Sequence, residues 1–404
     1  MKRGLCLAGG GSTGAYEVGA LRCLYEHGYE FDVIVGTSIG ALNGAMLAQG
    51  STLDELQSLW LEITPEKVMK GGINLNSKTI TEFDIHKTSR FLTSYLTNAG
   101  ADITPFKELC AKYISPKRIK ESSIEFGCVC CSLPLLKEVR VNAKEIEEKD
   151  ILPFIHASSA CAPVFPIEKI NGKRYVDGFY KNNLPIDYCF SLGANEIVAI
   201  DLKLFGLEPP NKELLRLPNV LAIEPRRSLG SFMDFTPSSI AANMRRGYLD
   251  AKKALGLALG KAYCFPKSDQ LLDRGKEFAH RIVNLEESLG KKVARHLLSI
   301  ADMDGISKLG YADLLVVCLE RMAELAKLDD CLEYTPESLF QHSLSAFLKE
   351  DGEKRYLLGR KSRLEVSDIR FRFLSEEDNA ILSLLSSIYR ESSAALLPRA
   401  KDEA

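Results

Sequence analysis

Two glycine-flanked runs and one aspartate carry the chemistry legible in this chain. Gly36-Thr37-Ser38-Ile39-Gly40 fits the G-x-S-x-G pattern, in which a strand turns sharply into a helix and thrusts a serine hydroxyl out of the backbone. The flanking glycines remove the clashes such a turn creates, and the helix N-terminus favours negative charge beside the serine. A hydroxyl presented in this way is a candidate nucleophile, and it needs a base. Of the six histidines, His27, His86, His156, His280, His296 and His342, none sits in a strand-end loop; His156 is the best placed and reads as part of a helix. Asp177-Gly178 ends a short strand-like run. In isolation an aspartate before glycine is a turn former. Its functional reading is as base for Ser38, which requires burial to raise its pKa.

The third run, Gly9-x-Gly11-x-x-Gly14, follows a strand and precedes a helix, the context of a dinucleotide-binding fingerprint. That reading needs an acid at the end of the second strand to hold a ribose. Here Asp32 lies at its start, and no Lys-Ser/Thr pair follows the glycines to make a P-loop. The other use of such a loop is an oxyanion hole, because consecutive glycines let backbone N–H groups approach a reacting carbonyl unobstructed.

The elements that must position these residues read as α/β. Gly4 to Ala8 is a buried strand, Ala15 to His27 a helix closed by Gly28, Phe31 to Val35 a second strand, and Ala41 to Ala48 a small-residue helix. Thr52 to Leu61 is helical and holds the only tryptophan, Trp60. Residues 63–103 are polar and broken, either a substrate entrance or a surface excursion. A helix over Pro105 to Tyr113 precedes strands near Ile124 to Ser132 and Glu138 to Asn142. Three prolines forbid one continuous helix from Ile151 to Ile167. Strands at Arg174 to Val176, Glu196 to Ile200 and Val220 to Ile223 complete a sheet with parallel strands.

Taken in order, Gly9 to Gly14, Gly36 to Gly40, Ala157-Ser158-Ser159-Ala160-x-Ala162-Pro163-x-Phe165-Pro166 and Tyr175-Val176-Asp177-Gly178 to Pro185 resemble the patatin-like phospholipase family over about residues 1–255. The resemblance implies a three-layer α/β fold with a mainly parallel central sheet flanked by helices, and hydrolysis of lipid acyl esters. It assigns Ser38 as nucleophile, Asp177 as base and Gly9, Gly10 and Gly11 as oxyanion donors. Gly14, Gly36, Gly40 and Gly178 are the glycines of the loop, the elbow and the base. No metal or organic cofactor is implied. Two departures stand out. The family usually has Arg or Lys where this chain has Thr13, and small residues after the aspartate-glycine pair where it has Phe179. The competing functions are a dinucleotide-binding enzyme using the Gly9–Gly14 loop and a catalytically silent lipid-binding protein.

Composition is compatible with this reading. Of 404 residues, 46% are hydrophobic, enough for a sizeable core, and 52 basic against 54 acidic side chains leave no overall field to attract nucleic acid. Eleven cysteines without a C-x-x-C pair read as buried free thiols in a reducing compartment. The apolar run after Met1-Lys2-Arg3 is too short for a signal peptide, and the charge-free run Val33 to Leu53 is too polar for a lipid-facing helix. A cytoplasmic chain is expected, with peripheral membrane contact as an option and oligomeric state open. Ser239 to Leu259 is a basic amphipathic helix, more simply a helix packed on the sheet than one lying on a membrane. Beyond it the pattern is helical, at Leu271 to Ile300, Tyr311 to Leu328, Pro336 to Leu348 and Glu376 to Leu396. The expected division is a catalytic domain over 1–260 and a helical region over 261–404.

Overall fold

The computed structural model describes residues 2–70, 101–162, 164–204, 211–301, 310–350 and 371–389. Most of the excursion read at 63–103, Pro163, and the helix at Glu376 to Leu396 beyond residue 389 lie outside the described residues. The chain divides into two compact units, Met1–Ala254 and Leu255–Ala404.

The first unit is built on an eight-stranded sheet. Its strands are β1 (Arg3–Leu7), β2 (Val33–Thr37), β3 (Glu125–Ser132), β4 (Lys137–Asn142), β5 (Glu168–Ile170), β6 (Lys173–Asp177), β7 (Glu196–Ile200) and β8 (Val220–Ile223). The path runs β5-β6-β3-β2-β1-β7-β8, with β4 paired to β3. The pairings β1–β2, β1–β7, β2–β3 and β7–β8 are parallel, and β3–β4, β3–β6 and β5–β6 are antiparallel. The sheet is therefore mainly parallel, with an antiparallel margin.

Its central strands are near-continuous apolar runs because both faces are covered. Side chains three apart on a strand point to opposite faces. On β1, Leu7 lies beneath the helix α2 (Ile39–Ala48), close to where a Gly44 Cβ would stand, while Gly4 meets Cys189 of the helix Ile186–Ser191. Helix α1 (Ala15–Glu26) packs on the helix Pro237–Ala254, which in turn packs on β8. The two helices approach so closely that a Cβ at Gly19 would lie 1.7 Å from Met244 O, and one at Gly247 1.9 Å from Tyr16 O.

That crossing decides between the two readings of the basic amphipathic helix. Ile240, Met244 and Ala251 are buried in the fold, so its apolar face is not available to lipid. The helix is also shorter than expected, ending at Ala254 before Gly256, which takes a left-handed φ of 71°. Among the described residues no helix is long and apolar enough to cross a membrane. All eleven cysteines are free thiols, and nine of them are buried.

Pro153 does not break its helix. Glu148–Ser158 runs through it and stops well short of Ile167. Among its described residues the second unit holds five helices, Asp269–Val283, Glu287–Ala301, Tyr311–Leu325, Pro336–Glu350 and Glu376–Ile388, around a core that includes Phe278, Leu319, Phe340, Phe347 and Leu382. The single helix expected over Leu271 to Ile300 is two, separated at Asn284, whose Nδ2 donates to His280 O at 2.9 Å and closes the first.

Candidate active site

The meeting of Ser38 and Asp177 follows from the pairing along β3. Strand β4 covers Gly127 to Ser132, so β2 and β6 share the other edge of β3: β2 pairs with Glu125 to Val129 and β6 with Cys130 to Ser132. The two strands run toward each other and end at Thr37, opposite Val129, and at Asp177, opposite Cys130. Residues 139 apart in sequence are thereby brought end to end, and Ser38 Oγ donates to Asp177 Oδ2 at 2.8 Å.

At the end of β2 the chain turns straight into α2. Ser38 adopts φ 56° and ψ −121°, a conformation that L-residues avoid and that persists only where its surroundings hold it. Here Ser38 N–H donates to Ser158 Oγ at 2.9 Å, and that hydroxyl donates to Val129 O at 2.6 Å. Thr37 Oγ1 donates to Asn182 O at 2.8 Å, tying the strand end to the loop after Asp177. The turn is tight enough that a Cβ on Gly36 would lie 2.3 Å from Gly40 C and O.

Asp177 is 1% exposed. Burial pushes its carboxyl up to about 7, against the pull of hydrogen bonds from Phe179 N–H, at 2.9 Å, and from Ser38. The departure at Phe179 therefore leaves the aspartate's main-chain bond intact, while the ring lines the cavity described below. His156 takes no part in the pair. It is buried in the helix Glu148–Ser158 beside Phe106, and burial pushes its pKa down to about 4.

The three loop glycines expected as oxyanion donors differ in what their amides meet. Gly9 N–H is taken by Asn183, through its backbone O and its Oδ1, both at 3.2 Å, and Asn183 Nδ2 returns a bond to Gly9 O at 3.0 Å. Ser12 N–H is held by Phe232 O at 2.8 Å. The amides of Gly10 and Gly11 have no protein acceptor among the described residues. Gly11 needs its glycine, since its φ is 57° and an added Cβ would sit 2.3 Å from Phe232 O. Thr13, the other departure, is buried and donates from Oγ1 to Gly10 O at 2.8 Å, so a hydroxyl fixes the peptide that carries the Gly11 amide. Gly14 packs against Ile39, Gly40 against the backbone of Leu7 and Ala8, and Gly178 against Val129 O.

Ser38, Asp177 and all three loop glycines line one cavity of about 170 Å³. Its other walls are almost wholly apolar, with Leu42, Met46, Trp60, Phe106, Phe165 and Phe235 among them. Such a wall suits a hydrocarbon chain and gives little to hold a charged group. The rival use of the loop also lacks its ribose acceptor, because Asp32 Oδ2 accepts Arg3 N–H at the far end of β2. Reasoning from sequence assigned no role to Ser158 or Asn183. Both lie in runs already singled out, where a buried hydroxyl and an amide beside a glycine turn are signals of backbone support.

Comparison with known proteins points to one family. A sequence model of the patatin-like phospholipase family matches residues 5–190. The patatin-like phospholipase domain-containing protein 7 of Mus musculus is 28% identical over 203 residues, covering 49% of this chain and 13% of that protein. Lysophospholipase NTE1 of Candida albicans is 27% identical over 201 residues, again 49% of this chain and 13% of the relative. The chain thus matches about an eighth of the length of these relatives. Among solved structures, VipD from Legionella pneumophila is similar with a TM-score of 0.42 and 13% identity, covering 98% of this chain and 88% of that one. The matched region, residues 5–190, which contains both Ser38 and Asp177, is a patatin-like phospholipase domain.

Proposed function

We propose that this chain hydrolyses carboxylic acyl esters of lipids through an acyl-enzyme on Ser38, with Asp177 as general base. The observation that carries the reading is the 2.8 Å bond from Ser38 Oγ to a buried Asp177 at the wall of an apolar cavity. As Oγ attacks the ester carbonyl, its proton passes to Asp177. The oxyanion is received by the Gly10 and Gly11 amides, with the N-terminus of α2 adding a favourable dipole. Collapse of the tetrahedral adduct expels the alcohol, which takes the proton from Asp177 and leaves the acyl group on Ser38. Water then repeats the attack with Asp177 again taking the proton, which it returns to Ser38 Oγ as the carboxylic acid leaves. The acyl chain occupies the cavity, and the substrate is met by peripheral contact with a bilayer or micelle. The domain match supports this assignment, since the relatives are named as phospholipase and lysophospholipase.

The test is hydrolysis of p-nitrophenyl acyl esters together with labelling by a fluorophosphonate, the adduct being located by peptide mass. The label is expected on Ser38 and absent from Ser38→Ala; an adduct on another residue, with hydrolysis intact in Ser38→Ala, would overturn the assignment. The pH profile is a second check. Only the carboxylate form of Asp177 accepts the proton, and burial holds its pKa at about 7. The kcat/KM value is therefore expected to be flat above that pH and to fall about tenfold per pH unit below it. In a protein where the base is an unperturbed carboxylate, the fall would begin near pH 4 instead.

A further inference from the structure

Beneath the glycine loop lies a buried polar chain that the proposed chemistry does not use. Glu17, in the first turn of α1, is 0% exposed, an unusual place for a glutamate. It is bonded by Asn43, which belongs to α2 and stands five residues after Ser38. Asn43 Nδ2 donates to Glu17 Oε2 at 2.8 Å and to Gly14 O at 3.2 Å, while its Oδ1 accepts from Trp60 Nε1 at 2.9 Å. Trp60 lies on α3 (Leu53–Glu62) and, with Asn43, lines the cavity. Its ring also abuts the loop, since a Cβ on Gly14 would stand 3.1 Å from Trp60 Cζ2. One amide on the nucleophile's helix thus reaches the end of the glycine loop, the helix that follows it and the cavity wall. Burial pushes the Glu17 carboxyl well up, against the pull of its bond from Asn43.

An apolar cluster of similar volume would hold these helices together equally well, because a buried polar network gains little net stability over it. What the network adds is direction. We propose that Asn43 is a positioning residue, which sets the Gly10 and Gly11 amides relative to Ser38 through Gly14 and Glu17, and holds Trp60 as a fixed wall of the acyl cavity. The inference rests on the acyl-ester reading of the site.

Its test separates position from stability. Asn43→Leu alone leaves Trp60 Nε1 unpaired and Glu17 without its side-chain donor, and lowers Tm and kcat together. Adding Glu17→Met removes one orphaned partner and is expected to recover most of the lost Tm, while kcat on a short p-nitrophenyl ester stays about tenfold or more below wild type. If kcat instead returns with Tm, the network is only structural. A second measurement needs no turnover. Trp60 is the sole tryptophan, so quenching of its emission by a brominated fatty acid reads occupancy of the cavity directly. Wild type and Ser38→Ala are expected to quench saturably at the same concentration, and the double variant to need about tenfold more. Absence of quenching in wild type, or an unchanged half-point in the double variant, overturns the assignment to the wall. If wild type quenches but cleaves no ester, the acyl-ester reading fails, and the Asn43 assignment stands or falls on the quenching shift alone.

Discussion

Asp177→Asn is expected to lower kcat about 10³- to 10⁴-fold while raising the melting temperature at pH 8. The loss of rate follows from the proposed role, because an amide cannot take the Ser38 proton. The gain in stability follows from burial. The carboxyl titrates at about 7 in the fold against an ordinary 3.8, so between those values the native state binds a proton that the unfolded chain has released. A group whose pKa is raised on folding contributes stability below its unfolded value and loses it as pH rises through its folded value. The separation corresponds to on the order of 4 kcal/mol at full ionisation. Asparagine keeps an acceptor for Phe179 N–H and carries no charge to desolvate. The variant should therefore be more stable than wild type at pH 8, with the difference shrinking toward zero near pH 4. Thermal melts across that range, beside turnover at pH 8, check both halves. A variant that melts lower at every pH would mark Asp177 as a structural tie and not a carboxylate held at a cost for chemistry.

How far this site was legible depends on whether its causes are local. The elbow was legible, because Gly36, Ser38 and Gly40 sit within five residues and each answers a steric need of one turn. The strand Glu196–Ile200 was legible as well, since burial on both faces makes Ile197 to Ile200 an unbroken apolar run. The partnership of Ser38 with Asp177 was not. No spacing predicts it: Asp177 read equally as a turn former, and resemblance to a family chose between the two readings; its physical cause is the shared edge of β3, which is a property of the folded sheet. The same holds for Gly9, whose amide Asn183 occupies from 174 residues away. Glu17 was invisible for a different reason: glutamate in the first turn of a helix ordinarily reads as an exposed favourable charge. In the helical unit, Leu285 and Leu289 continue the apolar pattern across the break after Val283, so periodicity alone joined two helices into one.

Gly36→Ala should be strongly damaging to the elbow. Its Cβ would lie 2.3 Å from Gly40 C and O and 2.6 Å from Ala41 N. All three are backbone atoms in the first turn of α2, so no flexible side chain can swing aside. Nor can the helix simply retreat, because a Cβ on Gly40 itself would already be 2.5 Å from Leu7 O, which shows how closely that turn rests on β1. The expected cost is about 3 kcal/mol of stability, at the upper end for overpacking. Whatever fraction folds must relieve the contact by shifting the turn that carries Ser38. A displacement of ~1 Å in Oγ relative to the Gly10 and Gly11 amides costs about 10² in rate. Gly172→Ala provides the comparison. That glycine has φ 77° in the β5–β6 turn, and nothing lies within 4 Å of its added Cβ. Only the backbone conformation is penalised there, at about 1 kcal/mol, with turnover per folded molecule unchanged. Denaturant melts give the first quantity, and turnover normalised to sites titrated with fluorophosphonate gives the second. If the two alanine variants lose equal stability and keep equal turnover, space at the elbow is not what fixes the serine, and conformation alone must account for its placement.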